Sequence, residues 1–388
     1  MQYTERKKNN SFSFAALMLA FIFTVILGFV PMVSDMFATM LKPTFLVLCV
    51  LSPGYGFYRM KYEKWLIVLL IYLFLIYLVH MNSDPDISTY ASMVLFGVFF
   101  LFAGLRAWTT REIKLFIHAI ALACTFYSIV VLVYNSGLIN IGDQHISFFG
   151  KTLNRNTCAF SVVPGAICAS FLFLFSPKKG FRKPLYLFAM AVCCYTVIGL
   201  SCRSAFLSAI SGIFLLVWEH SGRSHNKQSR WLNRMVFIVV TVIALYVLMA
   251  VLSGTNSERL FDYESTGRDD LWDAAVELIK AKPVFGGGFS YWSNSGKLMA
   301  PHNMFLFYML IGGAVAGIIL AFWMVNMVWE CISTRNTIAL AFSTEMIFHS
   351  ISEGGLDYYA FIPLILTSIL LHYSDCHRRS CAEILTAK

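Results

Sequence analysis

From Phe12 to Val30 the chain carries no charged residue, and runs of the same kind recur along most of its length. Such a run constrains the fold more than any motif. A helix rises about 1.5 Å per residue, so about 20 apolar residues cover the roughly 30 Å hydrocarbon core of a bilayer. Composition supports the bilayer as solvent. Of 388 residues, 58% are hydrophobic and 13% charged, against about 25% charged in an ordinary soluble domain. So few charges would leave too much apolar surface facing water. A soluble enzyme, a disordered chain and a free nucleic-acid-binding protein are excluded, despite a net charge of +9.

The runs predict an all-α, polytopic integral membrane bundle of about twelve transmembrane helices. Expected spans are 12–30, 33–52, 65–80, 88–105, 115–134, 157–175, 185–200, 204–219, 235–252, 303–325, 337–351 and 358–373. The first run follows Arg6-Lys7-Lys8 and is too long for a signal-peptide core, so it reads as an uncleaved span. Leu185 to Glu219 is too long for one crossing. Its strong polar break is Ser201-Cys202-Arg203-Ser204, which predicts two short helices with Arg203 at or just under the far surface.

Most of the 30 Lys and Arg then fall on the side of the N-terminus. The excess of basic residues on one side marks the cytoplasm. Both termini are expected there, in a cytoplasmic (inner) membrane, with the whole of 1–388 as one transmembrane domain. The longest polar stretch, 253–302, becomes a large extracytoplasmic loop between spans 9 and 10. Within it Thr266-Gly267-Arg268-Asp269 fits a helix-capping pattern, and Leu271, Trp272, Ala275, Leu278 and Ile279 follow at helical spacing. An amphipathic helix against the bundle mouth is expected, followed by a flexible turn at Gly286-Gly287-Gly288. No CxxC pair occurs among the 10 Cys, so neither a zinc nor a redox site is signalled. No internal repeat of the transporter kind is visible.

Few polar residues interrupt this pattern, and each has a plain and a functional reading. Arg203 interrupts two consecutive apolar runs; it either snorkels to headgroups or uses its fork on a phosphate. Arg268 lies in the first turn of the loop helix, where it either pairs with Asp269 or Asp270 or reinforces an anion-favouring helix end. His302, in Pro301-His302-Asn303, is either an interfacial residue or a proton acceptor near neutral pH. Lys151, Asn154, Arg155 and Asn156 cluster before the sixth span, either to bind phosphate or sugar or to end a helix. Glu345, His349, Glu353 and Asp357 run along and out of span 11. Glu345 within the membrane would orient a base, pair with an Arg or line a proton path. Asp84-Pro85-Asp86 has the spacing of a metal-gripping pair but reads as a turn.

Taken in order, these blocks resemble the bacterial O-antigen ligase and O-antigen polymerase superfamily. Gly267-Arg268-Asp269-Asp270-Leu271-Trp272, Lys282-Pro283-Val284-Phe285-Gly286-Gly287-Gly288, Pro301-His302-Asn303-Met304-Phe305-Leu306 and Gly312-Gly313 through Gly317 resemble its shared C-terminal domain. Leu200-Ser201-Cys202-Arg203-Ser204 resembles its Ser-Arg block, and Gly150 to Asn156 a polar block ahead of the sixth span. The resemblance covers 150–317.

It implies a membrane glycosyltransferase acting on the outer face of the cytoplasmic membrane. Such proteins move a glycan from an undecaprenyl-diphosphate donor to a sugar hydroxyl, without metal or other cofactor and with inversion. The acceptor is a lipid-linked glycan for polymerases and the lipid A core for ligases. By the same resemblance, Arg203 and Arg268 clamp the diphosphate and His302 is the general base. Lys151, Arg155, Asn156, Asn303 and Glu353 are expected to contact substrate. The compact stretch between the loop helix and His302 leans toward a polymerase, or a ligase with a simple acceptor. The rival readings are a lipid-linked oligosaccharide flippase, a peptidoglycan-type polymerase, and a metal-dependent oligosaccharyltransferase built on Asp84 and Asp86.

Overall fold

In a computed structural model the described residues are 63–81, 108, 110–135, 145–148, 151–176, 182–223, 227–252, 268–296, 301–352 and 361–377. They are predominantly helical. The helices are α1 (Lys64–His80), α2 (Thr110–Tyr134), α3 (Arg155–Phe175), α4 (Arg182–Gly199), α5 (Arg203–Ser221), α6 (Lys227–Leu252), α7 (Arg268–Ala281), α8 (Met304–Ser333), α9 (Thr337–Ser352) and α10 (Phe361–His377). By length and composition, α2, α3, α5 and α8 can each cross a bilayer, and α1 is a shorter apolar helix. The expected spans 12–30, 33–52 and 88–105 lie outside the described residues.

One element was not expected. Strands β1 (His145–Phe148) and β2 (Lys151–Asn154) form an antiparallel hairpin, pairing His145 with Asn154 and Phe148 with Lys151. It leads directly into α3, with Asn154 as the N-cap whose side chain accepts the Asn156 N–H at 2.9 Å. Ser, Thr, Asn and Asp suit this position because their oxygens reach the first free N–H groups of a helix.

The core forms around α3, which is buried along nearly its whole length. Its residues permit close approach: Ala159, Gly165, Ala166 and Ala169 leave little side chain between helices. A Cβ on Gly165 would collide with the Cβ of Cys124. Side-chain contacts fix the helix directions. His118 of α2 bonds Tyr186 of α4 at 2.9 Å, and seven residues further along each helix Thr125 meets Cys193, so α2 and α4 run parallel. The Cys124 thiol donates to the Ser161 carbonyl of α3 between them.

Ile167 packs where a Cβ of Gly212 would stand, and the rings of Phe175 and His220 meet at 5.4 Å, so α3 and α5 also run parallel. The α4–α5 break falls at Leu200–Cys202, where the sequence places it. In α9, His349 lies edge-on to Phe160 at 4.5 Å, while the Ala341 carbonyl faces Gly212. Hence α9 runs opposite to α3 and α5, and α8, joined to α9 by the short turn at Thr334–Asn336, runs with them. The N-termini of α3, α5 and α8 therefore share one end of the bundle.

Side-chain latches close the other end. Glu63 Oε1 accepts from Ser368 Oγ at 2.8 Å and lies 2.6 Å from His372 Nε2. The Asn336 amide donates to the Leu370 carbonyl and to Ser374 Oγ, both at 2.9 Å. Thr110 and Tyr373 share a hydrogen bond of 2.7 Å.

The helix α8 is not continuous, as the expected span 303–325 implied. It breaks at Gly312 (φ −123°) and Gly313 (φ 66°). The backbone groups released there are taken by the loop after α7. Gly287 N–H donates to Leu310 O at 2.9 Å, Gly288 N–H to Ile311 O at 3.0 Å, and Ala314 N–H to Pro283 O at 2.8 Å. Tyr72 donates its hydroxyl to Gly312 O at 2.7 Å. Only glycine allows two backbones this close: a Cβ on Gly286 would collide with the Ile311 carbonyl, and one on Gly313 with the Val284 carbonyl. The glycine run expected to be a flexible turn is thus a fixed one. The helix before it, α7, packs Ala275 and Ile279 against Leu310, Leu306 and Met309, so it follows the first turns of α8.

Candidate functional site

Four arginines each occupy the first residue of a helix: Arg182 of α4 at the latched end, and Arg155 of α3, Arg203 of α5 and Arg268 of α7 at the other. A helix N-terminus carries partial positive charge and unpaired N–H groups, so a cation there is electrostatically unfavourable by about 0.3–1 kcal/mol unless an anion compensates it. Arg155 is 7% exposed, and Arg203 and Arg268 are half-buried. Water screens these charges only in part.

Arg155 and Arg203 are placed by the parallel register of α3 and α5. Ile167 faces Gly212 and Phe175 faces His220, and the same offset sets Arg203 level with Cys158, one turn below Arg155. The turn before Arg203 is tight and enclosed. Ser201 is buried and left-handed (φ 50°), and its N–H donates to Ile198 O at 2.9 Å. A left-handed residue with a Cβ costs roughly 1 kcal/mol.

Arg268 and His302 are brought to the same part of the fold by Trp272. The indole Nε1 donates to Pro301 O at 2.7 Å, immediately before His302. Trp272 lies one turn after Arg268, on the same face of α7. His302 is half-buried and left-handed (φ 47°). Asn303 is the N-cap of α8 and accepts the Leu306 N–H at 3.1 Å. The capped helix on one side and the Trp272 bond on the other hold His302 in its turn. Left-handed backbone alone does not mark the site, since Arg335 (φ 51°) adopts it in the α8–α9 turn at the other end.

Of the remaining candidates, Lys151 opens β2 opposite Phe148. Asn156 is half-buried in the first turn of α3 and gives its N–H to Asn154. Glu353, Asp357, Asp84, Asp86 and the capping residues Thr266 and Gly267 lie outside the described residues. Glu345 is fully buried in α9, with both carboxylate oxygens lacking a hydrogen-bond partner. Among the described residues no group of three or more His, Cys, Asp or Glu could hold a metal ion.

Sequence reasoning underrated Trp272, counting it as one more apolar residue of an amphipathic face. Its indole N–H, one turn after Arg268, is the signal that could have marked it. Ser201 is named in the polar break, but its left-handed backbone has no sequence signature.

Guanidinium forks are suited to a dense anionic group, and the turn at His302 lies at the same end of the bundle as Arg155 and Arg203. A search among curated proteins finds no match to the chain. Residues 188–321, which contain Arg203, Arg268 and His302, match the O-antigen ligase family, and that match supports the resemblance to the O-antigen ligase and polymerase superfamily and with it a glycosyl-transferring integral membrane protein.

Proposed function

We propose that this protein transfers a glycan from an undecaprenyl-diphosphate donor to a sugar hydroxyl, at the outer face of the cytoplasmic membrane. The observation that carries the reading is that the first turns of α3, α5 and α8, and with them Arg155, Arg203 and the turn at His302, lie at one end of the bundle. A diphosphate leaving group needs fixed positive charge as its bond to the sugar breaks. Arg203 and Arg268 bind the two phosphates through their forks. Arg155, enclosed one turn above Arg203, adds to the local positive potential, and Lys151 and Asn156 are assigned to the substrate's anionic or sugar groups. His302 accepts the proton of the acceptor hydroxyl. The oxygen then attacks the anomeric carbon, the bond from that carbon to the diphosphate oxygen breaks, and undecaprenyl diphosphate departs with the electron pair. Attack opposite the leaving group inverts the anomeric centre. No divalent cation is required for this sequence of steps. Asn303 and Glu353 position His302 or the acceptor. The α7 helix, pinned by Trp272 and by the glycine loop, forms a fixed wall of the site.

The core of this unit is 150–317, within a single transmembrane domain, with 253–302 as its extracytoplasmic loop. The short return from α7 to His302 leaves little protein to recognise an elaborate acceptor, which favours polymerisation of lipid-linked repeats. Purified protein, with EDTA present, would be given a synthetic undecaprenyl-diphosphate oligosaccharide. A ladder of longer lipid-linked glycans is expected. Product only after a lipid A core acceptor is added would make the protein a ligase. No glycosylation of either acceptor, with movement of labelled donor across vesicles, would overturn the enzyme reading in favour of a flippase.

A further inference from the structure

At the opposite end of the bundle, the turn from α5 to α6 gathers a second set of cations with a different construction. Arg234 stacks its guanidinium on Trp218, 4.5 Å from the ring centroid, and lies over Gly222, where a Cβ would stand 2.6 Å from its Nη2. Arg230 sits one turn earlier on the same face of α6. Both Nε atoms are enclosed and have no hydrogen-bond partner. A buried guanidinium N–H without an acceptor is costly, and an anionic oxygen at this point would relieve that cost. Along the chain from 176 to 234 the sole acidic residue is Glu219, and it faces Arg223 at 3.8 Å. The aromatic platform, the small cradle at Gly222 and the two forks are suited to a tetrahedral oxyanion.

We propose that this turn binds the phosphate of an anionic phospholipid, held by Arg230 and Arg234 against Trp218 and Gly222. A lipid is favoured over a free ion because the same helix leaves Trp231, Leu232, Met235 and Val236 exposed, in reach of acyl chains. Basic pockets between helices at a membrane surface take headgroups of this kind. The site is independent of the glycosyl-transfer reading.

The test uses the full-length protein in detergent and in nanodiscs. Native mass spectrometry would follow binding of phosphatidylglycerol or cardiolipin, with phosphatidylcholine as the neutral control and inorganic phosphate as the free-ion control. Anionic lipid is expected to bind wild type and to lose roughly tenfold or more in affinity in Arg230→Ala/Arg234→Ala. Gly222→Ala, which keeps both arginines but fills the cradle, is expected to weaken binding as well. Arg230→Lys/Arg234→Lys keeps the charge, removes the forks and guards against loss of folding in the alanine variant. Equal binding in Gly222→Ala and both double variants would overturn the proposal. So would binding of inorganic phosphate that displaces the lipid, which would make the site one for a free ion. Indifference to headgroup charge would overturn it too.

Discussion

Basic residues open helices at both ends of this bundle, and the two sets behave differently. Lys64 of α1 and Arg182 of α4 open helices at the latched end and are exposed. Their charge dissipates into solvent or headgroups, as sorting of basic residues to one membrane face requires. Arg155, Arg203 and Arg268 open helices at the other end and are buried or half-buried. Less of their charge is open to solvent. The two ends also differ in how polar groups are spent. Glu63, Ser368, His372, Asn336 and Ser374 bond one another across helices and join distant parts of the chain. At the arginine-bearing end, Asn154 and Asn303 cap helices and Trp272 fixes a turn, so side chains there orient the candidate residues. The same residue types serve as a clamp at one end and as a scaffold for chemistry at the other.

That contrast can be broken by substitution. The largest effect is expected for Arg203→Ala, which should reduce glycan transfer by roughly 10²–10⁴-fold while expression and melting stay near wild type. Near-normal turnover would remove Arg203 from the site. Next, His372→Ala leaves Glu63 buried without its imidazole partner and should cost about 3 kcal/mol of stability, read as a lowered denaturation midpoint in detergent. Any surviving folded fraction should turn over at the wild-type rate, whereas a selective loss of turnover would merge the two ends into one functional unit.

Gly313→Ala should destabilise by about 2–3 kcal/mol, because it forces a left-handed alanine against the Val284 carbonyl. Denaturation of this variant checks whether the loop after α7 is fixed. An unchanged midpoint would show that the loop moves aside freely. The smallest effect is expected for Trp272→Phe. It removes one indole hydrogen bond to Pro301, worth about 1 kcal/mol. Turnover should fall more than stability does, because the bond holds the residue preceding His302. Equal turnover in wild type and Trp272→Phe would mean that the turn at His302 holds its geometry without help.

Much of this architecture is legible in the sequence because the bilayer demands uninterrupted apolar runs. The α4–α5 break is legible for the same reason, since Leu185 to Glu219 is too long to cross once and Ser201–Arg203 interrupts it. Arg203 stands out because polar residues are scarce nearby, and Arg268 and His302 because they fall in ordered blocks of the long polar loop. What the sequence hides depends on partners far away in the chain. The break at Gly312–Gly313 needs the backbone of Pro283, Gly287 and Gly288 to take up the released groups. The Glu63–His372 pair joins residues more than 300 positions apart, and no local pattern links them. The hairpin at His145–Asn154 is too short to announce itself by alternation, and its residues read equally well as a helix start.

His302 allows the most direct test, because its backbone and its imidazole can be separated. Its left-handed conformation suits glycine better than histidine. His302→Gly should therefore melt at or slightly above the wild-type temperature and yet fail to transfer glycan. Both quantities would be measured on one preparation, with a synthetic undecaprenyl-diphosphate glycan and EDTA present. Retained stability with transfer abolished is the result this account predicts. Retained stability with transfer intact would contradict it and take the general base away from His302.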